Sequence, residues 1–159
     1  HPDRGLYFTE VSGGAWAQQF GDNLQWNMRN VFIGSVNNWS RNALLWNLAL
    51  DDDHGPRNGG CKDCRGVVTI GDDGAITKNV EYYAIGHMSK FVRPGAFRVT
   101  LTGSGTDGLD SAAFLNRDGS KVLVVLNTFS DPRTFTVADG HRQYTCPLEG
   151  GAVATIVWK

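Results

Sequence analysis

The strongest constraint on the fold is a change of hydrophobic pattern near residues 93–96. Before it, apolar runs of strand length alternate with stretches at helical spacing, and after it short strand-like runs follow one another between Gly, Asp and Asn turns. Alternating strands and helices are typical of an α/β arrangement, and regular short strands are typical of a β-sandwich. The sequence therefore predicts two domains of different class, residues 1–95 (α/β) and residues 96–159 (all-β).

The first domain begins with a strand-helix-strand pattern. Residues 6–9 form an apolar and β-branched run that ends at Glu10, and residues 43–50 form a second run that is nearly continuous. Between them, over residues 23–39, apolar residues recur at helical spacing: Leu24, Met28, Val31, Phe32 and Val36. A continuous apolar strand is typical of a parallel sheet covered on both faces. We therefore expect one βαβ unit, with Trp26 and Trp39 packing the helix against its sheet.

The remaining pattern predicts one more strand and helix, followed by the sandwich. Residues 67–70 read as a strand, and residues 80–91 read as a helix that ends before Pro94 and Gly95. Six further strands are expected at residues 97–102, 112–116, 121–128, 133–137, 143–147 and 152–158. The segment Arg117-Asp118-Gly119-Ser120 is a good hairpin turn.

Charge and hydropathy exclude several classes of function. The net charge is -1 and Lys and Arg are scattered, whereas a nucleic-acid-binding surface needs concentrated basic residues. No apolar run approaches the roughly 20 residues that span a bilayer, so we predict no transmembrane segment. The chain starts at His1 without an initiator Met or a signal peptide, which predicts that it begins inside a longer gene product or after processing.

The three cysteines allow several interpretations. Cys61 and Cys64 form a C-x-x-C motif in a loop rich in turn-forming residues, and Cys146 is expected to be a free, buried thiol. A local disulfide in an exported protein is favoured over half a zinc site, because no second metal-ligand pair follows at finger spacing. A thioredoxin-like redox pair is least favoured, because no strand leads directly into this motif and no helix begins at it. The acidic run at residues 51–54 could bind calcium, but an acidic loop between elements is usually solvated. We predict no metal site and no cofactor.

A carboxylate at a strand end and an aromatic-amide pair suggest sugar chemistry. Glu10 follows the first strand, and Trp46 and Asn47 lie in the next one. A carboxylate can attack an oxocarbenium-like centre, an aromatic ring can stack on a pyranose, and an amide can bind sugar hydroxyls. A Glu at a strand end is also often a capping or ion-paired residue, and a Trp in an apolar strand is often core. His87, on an apolar helix face, is expected to be a hydrogen-bonded core residue.

Several sequence blocks strengthen the sugar interpretation. They are residues 46–51 (WNLALD), 55–56 (GP), 67–70 (VVTI), 81–92 (EYYAIGHMSKFV) and 94–96 (PGA). In order and spacing the chain resembles glycoside hydrolase family 30, the group that contains lysosomal glucosylceramidase and β-1,6-glucanases. The resemblance implies the last two strand-helix units of a (β/α)8 barrel, strands 7 and 8, followed by a β-sandwich. It also implies a retaining β-glycoside hydrolase in which Glu10 is the nucleophile and Trp46 lines the sugar pocket.

The resemblance further implies that the chain needs a partner polypeptide. A complete barrel needs about 250 residues, and the family's acid/base Glu, in an Asn-Glu-Pro-like motif, has no counterpart here. We therefore expect the N-terminal part of the same enzyme to complete the barrel, and the isolated chain to be inactive. The expected substrate is a β-linked glucoside or glucan, and the expected location is secreted or otherwise exported, or lysosomal in a eukaryote. The alternatives are a non-catalytic carbohydrate-binding module that uses Tyr144 or Trp158, and a structural β-sandwich.

Overall fold

The computed structural model describes residues 3–103 and 108–159. These residues divide into two compact units, a first unit (His1–Lys90) and a second unit (Phe91–Lys159). Among the described residues, no helix combines the length and the hydropathy that crossing a membrane requires.

The first unit begins with the predicted strand-helix-strand pattern. Strand β1 (Leu6–Phe8), the two-residue β2 (Gly13–Gly14) and α1 (Phe20–Trp26) lead into a π-helical segment (Asn27–Ile33). The helix then continues as α2 (Gly34–Asn37) and is followed by β3 (Ser40–Ala43). Strands β1 and β3 pair in parallel, which confirms a βαβ connection.

The π-helical turn explains why a glycine follows it. A Cβ at Gly34 would lie 2.5 Å from the carbonyl oxygen of Arg29, five residues earlier. No real side chain tolerates that approach, so the wider turn requires glycine at this position. The buried face of this helical stretch carries Met28, Val31, Phe32 and Ile33. Helical periodicity therefore identified Met28, Val31 and Phe32 but missed Ile33, and the helix starts three residues earlier than predicted.

The prediction of one strand over residues 43–50 was wrong. Strand β3 ends at Ala43, and β4 (Ala49–Asp51) begins six residues later in a different sheet. The run is not buried on both faces, because Leu44, Trp46 and Leu48 are exposed. The physical reason is that β3 has a single partner, β1, in a two-stranded sheet. Among the described residues of the first unit, no further strand joins that sheet.

The two helix tryptophans were also predicted incorrectly. Trp26 is 51% exposed and Trp39 is 73% exposed, so neither packs the helix against the sheet. Their large apolar surface faces away from the core that Met28 and Val31 form. Hydrophobicity alone therefore did not indicate which apolar residues face inward.

The rest of the first unit contains two small sheets and one helix. Strands β5 (Cys64–Arg65), β6 (Val68–Ile70) and β7 (Ile76–Lys78) precede helix α3 (Val80–Ser89). β5 pairs antiparallel with β2, while β6 lies between the parallel β4 and the antiparallel β7. Asn79 precedes α3, and its amide donates to the Gly66 carbonyl and to the Thr69 hydroxyl, both at 2.9 Å. These bonds tie the start of the helix to the strand beside it.

The second unit is the β-sandwich that the turn pattern predicted. Its strands are β8 (Phe97–Val99), β9 (Leu109–Leu115), β10 (Lys121–Asn127), β11 (Arg133–Asp139), β12 (Arg142–Leu148) and β13 (Val153–Trp158). One antiparallel sheet has the order β13-β10-β9-β8, and the other is the β11-β12 hairpin. Leu123 and Val125 of the larger sheet pack with Val137 and Leu148 of the smaller one. The shared core of two facing sheets is what defines a sandwich.

The hairpin between β9 and β10 follows its predicted turn. Gly119 adopts φ 81°, a left-handed conformation that favours glycine. The backbone N–H of Asn116 donates to the Ser120 carbonyl at 2.8 Å and closes the turn. The turn therefore sets the register of the two central strands.

Candidate active site

The segment that carries Glu10 lies beside the segment that carries Trp46. At and beyond the end of β1, the backbone N–H of Leu44 donates to the Phe8 carbonyl at 3.0 Å. The backbone N–H of Trp46 donates to the Val11 carbonyl at 2.9 Å. Ser12 and Trp46 then form a parallel bridge. Glu10 therefore lies between two fixed backbone contacts, past the carboxyl end of its strand. Its side chain is exposed, and Trp46 is 40% exposed.

Asn47 is held by both its backbone and its side chain. The Asn47 carbonyl accepts from the Val67 N–H at 2.9 Å, and its Oδ1 accepts from the Ala49 N–H at 3.2 Å. The side-chain bond fixes the oxygen end of the amide, which leaves the NH₂ end to act as a donor. The residue next to Trp46 is thus anchored in the segment that leads into β4.

The C-x-x-C loop is attached to the segment that follows Glu10. Cys61 and Cys64 are joined in a disulfide, and Cys146 is unpaired but only half-buried. Cys64 pairs with Gly14 in the short β2-β5 ladder, and the Ala15 N–H donates to the Asp63 carbonyl at 2.9 Å. The disulfide thereby braces a loop that contacts residues only a few positions after Glu10.

A buried polar cluster that was not predicted from the sequence lies next to this ladder. Glu81, in the first turn of α3, is 1% exposed. Its carboxylate accepts from Arg65 Nη2 at 3.2 and 3.4 Å and from Asn23 Nδ2 at 3.2 Å. Asn27 in turn donates to the Asn23 side-chain oxygen at 2.9 Å. Its residues come from three distant parts of the sequence, and the only local signal was a Glu on an otherwise apolar helix face.

His87 and the acidic run at residues 51–54 lie outside this cluster. His87 is partly buried in α3, and that burial lowers the pKa of its imidazole from 6.5. Asp51 Oδ1 accepts from the Gly55 N–H at 2.6 Å, so the acidic run contributes to a local turn. In the part of the chain that the structure describes, no three His, Cys, Asp or Glu side chains are grouped so that they could bind a metal ion.

Tyr144 and Trp158, the aromatics considered for a carbohydrate-binding module, are partly buried in the second unit. They pack against the core of that unit, with ring centroids 6.2 Å apart. The Trp158 indole N–H donates to Asp139 Oδ2 at 2.8 Å. Both residues lie at positions of their strands that face the core, so part of each ring is covered by the core residues.

The family assignment comes from comparison with known proteins. Residues 95–156 match the glycosyl hydrolase family 30 beta sandwich domain. The whole-chain similarities agree: 37% of residues are identical to the endo-β1,6-glucanase BT3312, whose structure superimposes with a TM-score of 0.92 over 99% of this chain and 36% of that one. The chain belongs to glycoside hydrolase family 30 and matches its C-terminal portion. The sandwich of the second unit is therefore the family 30 β-sandwich domain.

The similar curated proteins are named as glucanases and glucosylceramidases. The chain is 35% identical to the endo-1,6-β-D-glucanase neg1 of Aspergillus fumigatus over 142 residues, which cover 82% of this chain and 27% of the relative. It is 38% identical to the lysosomal acid glucosylceramidase of Mus musculus over 120 residues, which cover 72% of this chain and 22% of the relative. The chain thus spans about a quarter of the length of these two relatives.

Proposed function

We propose that this chain contributes the nucleophile, Glu10, to a retaining β-glycoside hydrolase, and that Trp46 and Asn47 bind the sugar. The observation that supports this most directly is the parallel pairing of the Glu10 and Trp46 segments. It brings an exposed carboxylate, an exposed indole and an anchored amide to adjacent segments past the ends of β1 and β3. Strand ends of this kind carry the reactive residues in (β/α)8 enzymes.

The chemistry follows from the carboxylate. A Glu10 oxygen attacks the anomeric carbon, the glycosidic C–O bond breaks, and a carboxylic acid on the other part of the enzyme protonates the leaving oxygen. Water then attacks the same carbon, the ester bond to Glu10 breaks, and the deprotonated acid takes the water's proton. The indole of Trp46 stacks on the sugar ring, and the amide of Asn47 donates to a hydroxyl. The two carboxyl groups of such a pair lie roughly 5–5.5 Å apart.

The acid/base residue and most of the barrel would come from polypeptide that precedes this chain in the enzyme. In this proposal residues 1–95 are strand-helix units 7 and 8 of a (β/α)8 barrel, and residues 96–159 are its β-sandwich. The first unit exposes large apolar side chains in a way that supports such a partner. They include Leu6, Tyr7, Trp16, Phe20, Trp26, Trp39, Leu44 and Leu48.

The proposed substrate is a β-linked glucan or glucoside. The names of the relatives support β-1,6-glucan or glucosylceramide as the class to test first. The disulfide supports an exported protein, secreted or, in a eukaryote, lysosomal, because cytosolic thiols are kept reduced.

The proposal is tested in the full-length protein that contains this chain. An aryl β-glucoside is the substrate, and an activated 2-deoxy-2-fluoroglucoside is used to trap the glycosyl-enzyme. Glu10→Gln should abolish turnover. In the wild-type protein, peptide mass mapping should locate the trapped sugar on Glu10. Glu149→Gln is the matched control, since Glu149 is an exposed carboxylate of the sandwich and should leave turnover unchanged. Normal turnover by Glu10→Gln, or a label on another residue, would refute the proposal.

A further inference from the structure

The buried carboxylate of Glu81 connects three elements of the first unit. It lies in the first turn of α3, binds Arg65 of β5 and binds Asn23 of α1. Arg65 is itself mostly buried, with 21% of its side chain exposed, whereas 1% of the Glu81 side chain is exposed. Removing a carboxylate from water is costly unless it is paired and hydrogen-bonded, and this one has both kinds of partner.

The carboxylate also lies directly against the segment that follows Glu10. A Cβ built on Gly13 would lie 2.1 Å from Glu81 Oε1, so the side chain occupies the space that any larger residue at position 13 would need. Gly13 is buried and pairs with Arg65 in the β2-β5 ladder. The ion pair therefore contacts this backbone twice, through the carboxylate of one partner and the main chain of the other.

These contacts restrain the Glu10 segment from its far side. Ser12 is bridged to Trp46 on one side, and Gly13, the next residue, is packed on Glu81 and paired with Arg65 on the other. Only Val11 and Ser12 separate Glu10 from that restraint. A displacement of the ion pair would therefore be transmitted through two residues to the carboxylate that attacks the sugar.

Stability alone does not explain why an ion pair fills this space. A buried ion pair adds little net stability compared with well-packed apolar side chains of similar volume, but it fixes its partners in one geometry. A reacting carboxylate needs that geometry, because a displacement of about 1 Å can slow an enzyme by a factor of about 100.

We propose that Glu81 and Arg65 are positioning residues that align Glu10 for attack on the anomeric carbon, by fixing the backbone at Gly13. This inference rests on the proposed function of Glu10. It assigns Glu81 and Arg65 no contact with the substrate. Their role is to keep the backbone after Glu10 in one place while the covalent bond to the sugar forms.

The experiment measures how fast the 2-deoxy-2-fluoroglucoside is trapped in the full-length protein. The conservative variant Glu81→Gln keeps the shape of the side chain but removes its charge. We expect the trapping rate at saturating reagent to fall about tenfold or more, while the reagent's dissociation constant changes by less than about twofold. Arg65→Lys keeps the positive charge, so its trapping rate should fall less than that of Arg65→Gln. Asp139→Asn is the matched control: it removes the Lys121–Asp139 ion pair of the second unit and should leave the rate unchanged.

The readout separates positioning from a purely structural role. A structural role would lower the fraction of protein that can be trapped without changing the rate of the remaining molecules, and that result would overturn the inference. If Glu81→Gln fails to fold, as judged by circular dichroism, Arg65→Lys and Arg65→Gln decide the question, because Arg65 lies at the solvent edge of the pair. Wild-type trapping rates in both would then overturn it.

The experiment distinguishes failure of the positioning role from failure of the proposed function of Glu10. A label found on Glu10 in the wild type, with an unchanged rate in Glu81→Gln, would overturn only the positioning role. A wild-type protein that carries its label elsewhere would refute the proposed function and the positioning role together.

Discussion

Asp139 binds two partners at once at the edge of the sandwich. Lys121 Nζ lies 2.6 Å from its Oδ1, and the Trp158 indole N–H donates to its Oδ2 at 2.8 Å. These donors, Lys121 first, lower the pKa of Asp139 from 3.8. The carboxylate is therefore stabilised in its charged form only while the sandwich is folded.

The stability of the second unit should consequently fall in acid. Because the folded pKa of Asp139 is below its unfolded value of 3.8, this contribution is complete above that pH and is lost as the pH falls toward the folded pKa. Asp139→Asn should lower the thermal midpoint above pH 5. In stronger acid, the midpoints of the variant and the wild type should converge. Lys121→Met, which removes the first donor, should show the same convergence. A constant difference between variant and wild type from pH 2 to 6 would contradict this.

Asn127 should be one of the most sensitive polar positions in the sandwich. It is fully buried, and its amide donates to the Asp131, Leu148 and Glu149 carbonyls at 2.9–3.2 Å. Asn127→Ala would leave these carbonyls without their donor, so we expect a loss of about 2 kcal/mol or more in the free energy of unfolding. Urea denaturation measures it.

The matched control for Asn127 is Thr136. Its hydroxyl makes an exposed hydrogen bond to Thr145 at 3.2 Å, and Thr136→Ala should change the free energy of unfolding by no more than about 0.5 kcal/mol. Equal losses in the two variants would show that burial of the amide is not the cause.

The disulfide should stabilise the first unit modestly. It closes a loop with a sequence separation of 3, for which loop entropy gives about 2 kcal/mol. We expect Cys61→Ser with Cys64→Ser to lower the free energy of unfolding by about that amount, and a reductant to destabilise the wild type to the same level. Cys146→Ser, at the unpaired thiol, is the control and should keep its response to reductant. Insensitivity of the wild type to reductant would contradict the prediction.

The isolated chain should be inactive and should associate with itself. The sheet of β1 and β3 has two strands, so each presents an unpaired edge among the described residues, beside exposed apolar side chains such as Leu48. We expect no hydrolysis of an aryl β-glucoside and a mass above that of the monomer in light scattering. Leu48→Lys should reduce the association. Hydrolysis by the isolated chain would contradict the proposed need for a second carboxylic acid.

Periodicity predicted the second unit well because its determinants are local. The strand predicted over residues 121–128 is Lys121–Asn127 in the structure, and the turn before it has its glycine at φ 81°. Alternation and turn residues are read from neighbouring positions, and the β8-β9, β9-β10 and β11-β12 pairs each join strands that are consecutive in the sequence.

The first unit was predicted less well because its determinants are distant in sequence. The apolar run at residues 43–50 indicated burial, but the neighbours that decide burial are not encoded in the run itself. The Glu81 cluster joins residues 23, 65 and 81, and no single stretch shows that they meet. The assignment of Glu10, Trp46 and Asn47 to a sugar site stays a prediction, which the labelling experiment tests.

The segments that begin with β1 and β3 contain two register offsets that cancel, one within the strands and one beyond their ends. From Leu6 to Phe8 the partner strand advances by one residue more, from Ser40 to Ala43, and from Phe8 to Ser12 it advances by one residue fewer, from Ala43 to Trp46. A single-residue deletion or insertion between Phe8 and Ser12 would remove this compensation and shift Glu10 relative to Trp46. Any redesign or transplantation of this loop therefore has to keep the number of residues between Phe8 and Ser12 unchanged.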